Sequence, residues 1–435
     1  MPRTKPHEPS PPTYAPADER VSILRRVPWW PVAISVVVLL TAAFSVDAIR
    51  DAVTLGPVDE AHLTYPPAYL ALAPLSSVLD TLTLLTVGQH IAVLLWAIGV
   101  FAAIRIFRAR RGTSSRRELI AALSFLGVIV LTYLVGILVP RPMAQLAISD
   151  LNVLSLDFHS HTEYSHDGRP GWTEEDLRDW YRDAGFDVVY VTDHRSFEGA
   201  ERGIASNPSQ AGQGTMILQG LEAFYRGEHV NLLGAGRRYK GLTTPDLKDV
   251  DPQSAMLASL LTHAAPVMIE TVPGNLDRVP APTDSGPGVM AIELVDGSPR
   301  GLSQTRRQRA RIIHIADSLD LALVTGTDNH GWGRATPAWT LMRINGWRGM
   351  STDSLSQRIE SILRDGRRQS TRIVERRVAG GSNPLSVAFA GPLVTWRMFT
   401  TIGPDERVMW LVWTWGIFIL ARGLKQYRMR RSTPA

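Results

Sequence analysis

Two histidines, His159 and His161, stand two residues apart at the end of an apolar run that starts at Val153. Alternate residues of an extended chain point to the same face, so both imidazoles can reach one cation. A single His-x-His pair is weak, because surface and core histidines account for most instances. Its weight comes from recurrence. Thr192-Asp193-His194 follows the next apolar run, Glu222 ends a third, His229 opens a fourth, and Asp328-Asn329-His330 follows the last. With no cysteine in 435 residues, disulfides and cysteine-ligated zinc are excluded. What remains is an imidazole and carboxylate donor set, which suits zinc, manganese or iron. A bound divalent ion lowers the pKa of water to about 7, so metal-assisted hydrolysis is the chemistry to expect.

The segments that must position these groups read as short strands over 153–158, 188–191, 216–221, 230–233, 267–269, 289–295 and 322–325. Between the first two, Thr173 with Asp176 three residues on makes a capping-box start for a helix, and Gly185 marks its end. A second helix fits 304–318. Seven strands with intervening helices predict an α/β barrel rather than a sandwich. Barrel enzymes build their sites from the C-terminal strand ends, where these histidines and acids fall.

Taken together the motifs resemble those of the PHP family, named after polymerase and histidinol phosphatase, over about 151–350. They are His159-Ser160-His161-Thr162, Thr192-Asp193-His194, Gly220-Leu221-Glu222, Glu228-His229-Val230 and Gly326-Thr327-Asp328-Asn329-His330, in the family's order. The resemblance implies a distorted (β/α)7 barrel with two or three divalent ions that hydrolyses phosphomonoesters or phosphodiesters through a metal-activated hydroxide. It implies that His159, His161, Glu222 and Asp328 hold one ion and that Glu222 bridges to a second, bound also by His229. His194 and His330 would serve a third, with a ligand from the stretch after the first motif. Two departures stand out. The usual Ser-Asp-Gly turn here reads Ser165-His166-Asp167-Gly168, and His166, five residues after His161, is expected to take the ligand position ahead of Asp167. The usual Ala-His-Pro after the fifth strand is replaced by Glu270-Thr271-Val272-Pro273-Gly274. Glu270, on the same face as Val272, either substitutes for the missing histidine or pairs with an arginine while that metal is lost. Asp193 and His194 are candidates to move protons, and Arg195 to meet substrate phosphate. His263 reads as structural, and Arg237, Arg238 and Lys240 as a solvated loop.

Outside this region the chain changes character. Residues 1–27 are rich in proline and charge and read as a disordered tail. Uncharged runs cover 29–46, 82–104 and 119–139, with lengths of 18, 23 and 21, and a fourth run of 14 covers 408–421. About 20 residues span a bilayer core, so these are expected to be transmembrane helices, the fourth helped by snorkelling of Arg407 and Arg422. The expected organisation is three spans within 28–140, a hydrolase domain at 150–350, a linker with an interfacial stretch at 351–405, a last span at 406–424 and a basic tail at 425–435. Segment 384–401 reads either as interfacial or as the other half of a helical hairpin, and segment 69–79 leaves the same two readings open. Much of the net charge of +5 sits in arginine clusters beside the apolar runs. Basic segments stay inside, which predicts an integral protein of a bacterial-type plasma membrane with the hydrolase domain outside. The expected partners are the lipid bilayer and a small or envelope-derived phosphoester, with no nucleic acid. Exonuclease-like cleavage, or a degenerate barrel that binds without turnover, are the competing expectations.

Overall fold

The structure is a computed structural model that describes residues 28–109, 114–194, 196–225, 228–234, 266–272, 288–378 and 383–431. Its strands are β1 (Ile49–Asp51), β2 (Ala61–Thr64), β3 (Gln145–Ile148), β4 (Val153–Asp157), β5 (Val188–Val191), β6 (Met216–Tyr225), β7 (Glu228–Leu233), β8 (Val267–Glu270), β9 (Ala291–Asp296), β10 (Ala322–Gly326), β11 (Ala338–Arg343) and β12 (Arg372–Arg376). Ten form one sheet in the order β1-β12-β11-β4-β5-β6-β7-β8-β9-β10, while β2 and β3 pair separately. The pairs β4/β5, β5/β6, β8/β9 and β9/β10 are parallel, and the others in this sheet are antiparallel.

The strands β4 to β10 are the seven expected from sequence, and they curl until β10 comes back beside β4. Backbone bonds stitch this seam at Phe158 N to Thr325 O (3.4 Å), Asp328 N to His159 O (3.0 Å) and His161 N to Asn329 O (3.0 Å). The fold is therefore α/β with a curled mixed sheet, reversed at β7. Strands covered on both faces read as continuous apolar runs, and β4, β5 and β9 have no exposed residue. Phe158 and Tyr190 stack inside the curl with ring centres 5.4 Å apart. The expected capping box of Thr173 and Asp176 forms, and Gly185 ends that helix (Glu174–Ala184) at φ 84°.

Two expectations change. Residues 351–405 are not simply a linker: Thr352–Gly366 is a helix whose Leu355, Ile359 and Leu363, spaced by four, are fully buried against the sheet. Beyond it β12 pairs with β11 and with β1, so the sheet draws strands from both sides of the 150–350 segment. The first apolar run is helical only over Trp29–Ala42. Fourteen residues at 1.5 Å each cover about 21 Å, short of the roughly 30 Å hydrocarbon core. Among the described residues three other helices are long and apolar enough to cross a membrane, at Val87–Arg108, Ser115–Leu138 and Pro404–Tyr427. Segment 69–79 lies in the short helices Pro67–Ala71 and Ala73–Thr83, which bury Tyr69 and Asp80, and segment 384–401 in Pro384–Ala388 and Ala390–Thr401.

The apolar helices and the curled sheet meet at a buried ionic junction. Asp80 accepts from Arg376 Nη1 at 2.9 Å, from the Tyr69 hydroxyl at 3.1 Å and from Arg141. Arg334 spans the same seam, donating to Asp183 Oδ2 at 2.5 Å and to the Arg141 carbonyl at 3.1 Å.

Candidate metal centre

Each donor reaches the mouth of the curl from a different strand end. His159 and His161 follow β4, His194 follows β5, Glu222 lies on β6, His229 on β7, and Asp328 and His330 follow β10. Register explains two of these positions. Beyond its expected end at 221, β6 runs on to Tyr225 and forms a hairpin with β7, in which Glu222 faces Asn231 and Phe224 faces His229. Asp328 has a left-handed backbone (φ 49°), a conformation that Asp tolerates better than most residues and that often marks a functional turn. Asp157 holds that turn, accepting from Thr327 N at 2.9 Å and from the Tyr181 hydroxyl at 2.7 Å.

Glu222 is the hub. Its Oε2 lies 2.9 Å from His159 Nε2, 3.2 Å from His161 Nε2 and 3.1 Å from His194 Nε2, and its Oε1 lies 2.5 Å from His229 Nδ1. Asp328 Oδ1 closes the group at 3.4 Å from His159 Nε2 and 3.3 Å from His161 Nε2. The two Nε2 atoms are only 3.1 Å apart, ring edge against ring edge. Burial disfavours charge on His159, yet Glu222, Glu293 and Asp328 outweigh it and hold that imidazole well above its ordinary range. Burial likewise opposes the charge on His161, which the bonds to Asp328 and Glu222 lift to about 9. Burial opposes ionisation of Glu222, but His159, His161 and His229 keep its carboxyl well below the ordinary value. These carboxylates call for positive charge at their centre, which a divalent ion could supply. The N/O donor set and its convergence therefore fit such an ion.

Among the described residues donor atoms converge in five groups: His159, His161, Glu222 and Asp328; His161, Asp167 and His330; His166, Asp167 and His194; His194, Glu222 and His229; and His159, Glu293 and Asp296. Burial pushes His194 down to about 4, so its ring stays neutral with a lone pair to give. Of the two residues weighed after the first motif, Asp167 enters two groups and lies 3.2 Å from His330 Nε2. His166 enters one group, and its side chain is 54% exposed. Both side chains are exposed, but Asp167 reaches His194 and His330 while His166 joins only the group with His194, so the geometry favours Asp167.

Glu270 is not brought to the cluster. It is fully buried in β8 with neither oxygen hydrogen-bonded, and burial, together with the charge of Glu228, pushes it up to about 8. Its neighbour across the sheet, β9, supplies the acid that sequence reasoning missed. Glu293 Oε1 lies 3.0 Å from His159 Nδ1, and its Oε2 accepts from Val272 N at 3.1 Å. The signal was available: a buried carboxylate costs several kcal/mol unless partnered, so acids within the run Ala291–Asp296 call for a cation. Asp193, expected to move protons, is buried and turned away, accepting from Thr162 N and Thr162 Oγ1 at 2.6 Å each. It shapes the turn after the first motif. Arg195, His263, Arg237, Arg238 and Lys240 lie outside the described residues.

No family model matches the sequence, and no curated protein does. Among solved structures, PsfC from Pseudomonas syringae is similar at 17% identity over 61% of this chain and 100% of its own, with a TM-score of 0.35. A Bifidobacterium adolescentis protein described as a candidate metal-dependent phosphoesterase is similar at 18% identity over 48% of this chain and 96% of its own, with a TM-score of 0.31. The lesion-specific endonuclease PfuEndoQ from Pyrococcus furiosus is similar at 13% identity over 50% of this chain and 57% of its own, with a TM-score of 0.35. Likeness of this order establishes no shared activity.

Proposed function

We propose that the chain is a membrane-anchored, metal-dependent phosphoesterase of the PHP kind, hydrolysing phosphomonoesters or phosphodiesters. The observation that carries it is the convergence of four imidazoles on Glu222, with Asp328 beside them. His159, His161, Glu222 and Asp328 would hold one ion; Glu222, His229 and His194 would hold a second; Asp167 and His330, with His161, would hold a third. Zinc, manganese or iron, when bound, supplies Lewis acidity and acidified water for attack on phosphorus. The chain's own part is positional. Glu293 orients His159, Asp193 and Asp157 hold the turns that carry His161 and Asp328, and neutral His194 can take a proton or a metal. Arg195 is assigned to substrate phosphate on its place beside His194.

Anchoring is supported by the three long apolar helices. The span ends nearest the sheet are Val87, Leu138 and Pro404, while Arg105, Arg108, Arg116, Arg117 and Arg422 lie toward the opposite ends. Basic residues stay inside, which favours a site on the outer face. Protease protection in right-side-out vesicles tests that side. Metal analysis of the purified full chain, with hydrolysis of p-nitrophenyl phosphate and its bis-ester, tests the chemistry. Two or more ions per chain with turnover that Glu222→Gln abolishes is the expected result. Less than one tightly held ion and no turnover would mean a binding module.

A further inference from the structure

The metal cluster does not open only to water. A cleft of about 440 Å³ has Asp167, Asp328 and His330 on one wall and Gly136 and Ile137 on another. The last two belong to the final turn of Ser115–Leu138, one of the three helices able to span a membrane. The walls touch directly, since Gly333 N, three residues beyond His330, donates to the Ile137 carbonyl at 3.2 Å. Gly333 is suited to this approach: its φ is 75°, and a Cβ there would lie 3.0 Å from Thr83 Cγ2. Trp180 Nε1 donates to the Gly333 carbonyl at 3.1 Å and holds the loop in place.

The mouth of this cleft has the chemistry of a bilayer surface. Trp332, another of its lining residues, is 49% exposed, and Ile137, Leu138 and Val139 beside it are exposed too. The Arg169 guanidinium sits 5.2 Å over the Trp332 ring, so a cation and an aromatic ring meet where headgroups lie. A water takes up about 30 Å³ of liquid, so the cleft has room for a phosphorylated head group but not for lipid tails as well. The tails have the bilayer directly alongside.

We propose that the substrate is a phosphoester carried on a membrane lipid, its head group entering the cleft between Trp332 and Ile137 while its chains stay in the bilayer. This rests on the phosphoesterase reading above and on the membrane placement of Ser115–Leu138. In the reaction the water oxygen bonds to phosphorus as the ester P–O bond breaks. The departing oxygen leaves as an alcohol with one of the water protons, and the other proton stays with the phosphate product.

The test uses the full chain, loaded with manganese or zinc, in phosphatidylcholine nanodiscs. Two matched pairs are compared: phosphatidic acid with glycerol 3-phosphate, and phosphatidylglycerol with glycerophosphoglycerol. Confinement to the surface raises effective concentration, so the lipid member of at least one pair should be preferred by about tenfold or more in kcat/KM. Trp332→Ser should narrow that preference. A diazirine-bearing phosphatidic acid should also crosslink to the peptide holding Trp332, with competition by phosphatidic acid and not by glycerol 3-phosphate. Turnover of soluble esters at rates equal to or above their lipid partners overturns the lipid assignment and leaves the phosphoesterase reading standing. Metal-loaded protein that turns over neither member of either pair, nor p-nitrophenyl esters, removes both.

Discussion

Glu293 is the residue whose replacement asks most of this structure. It is fully buried, and each carboxylate oxygen faces a donor: His159 Nδ1 at 3.0 Å on Oε1 and Val272 N at 3.1 Å on Oε2. Burial outweighs the pull of His159 and holds the carboxyl well above its ordinary value; a cation bound beside His159 would favour the ionised form, in which both oxygens accept. Glu293→Gln keeps the shape and halves the accepting capacity, so one N–H must face the amide NH2. If His159 Nδ1–H loses its acceptor, the tautomer that presents Nε2 to the cluster is no longer selected. A buried unsatisfied donor costs about 1–3 kcal/mol of stability. Loss of the group that orients a ligand histidine weakens metal binding about 10–100-fold, which is roughly 1.4–2.8 kcal/mol at 1.4 kcal/mol per decade. The assay is competition for zinc or manganese against a fluorescent chelator, with circular dichroism to establish that the variant is folded. An affinity within about twofold of the parent would refute the reasoning, since His159 would then be oriented without Glu293.

Three further outcomes follow from the same geometry. Gly326→Ala places a methyl 2.3 Å from Glu293 Oε1 and 2.8 Å from the His159 Cβ, so it should cost about 1–3 kcal/mol in thermal unfolding and weaken metal binding as Glu293→Gln does. Glu270 is held protonated up to about pH 8, whereas in the unfolded chain it ionises near the ordinary glutamate value of 4.5. Between those values the folded state binds more protons, so its contribution to stability falls as pH rises through the window. Glu270→Gln should flatten that pH dependence of the melting temperature, raise stability at pH 8 by on the order of a few kcal/mol, and leave metal affinity unchanged. Asp80→Ala strands Arg141 and Arg376 in the junction, where losing one partner of a buried ion pair costs about 3–5 kcal/mol; a drop in melting temperature of the full chain measures it.

Much of the fold was legible because strands covered on both faces leave continuous apolar runs, and because a capping box and a C-terminal glycine are local devices. The ligand motifs were legible for a related reason. His159, His161, His194, Asp328 and His330 each sit at the end of such a run, so locating the strands locates the donors. Other parts depended on which distant segments become neighbours, and apolar spacing carries no such information. Sequence spacing left Glu270 either replacing the absent histidine or pairing with an arginine, but the curl of the sheet brings β9 behind His159 and leaves Glu270 beside Glu228. Counting from His161 favoured His166, while the folded turn brings Asp167 close to His194 and His330. The strands β1 and β12 were hidden because their pairing joins residues more than 300 positions apart, as between Ile49 and Arg376, and β11 because it returns to pair with the distant β4, Thr340 against Leu156.

His159 and His161 as a cation-gripping pair, the α/β class and the long apolar helices follow from residue type and period alone, since strand pleat and bilayer thickness are fixed lengths. Which carboxylates complete the cluster, and that its cleft is walled by the last turn of Ser115–Leu138, follow only from the way the chain closes on itself. Convergence of donors is a property of the closed sheet, made by register, curl and the Gly333 contact, and none of these is encoded in a neighbouring residue.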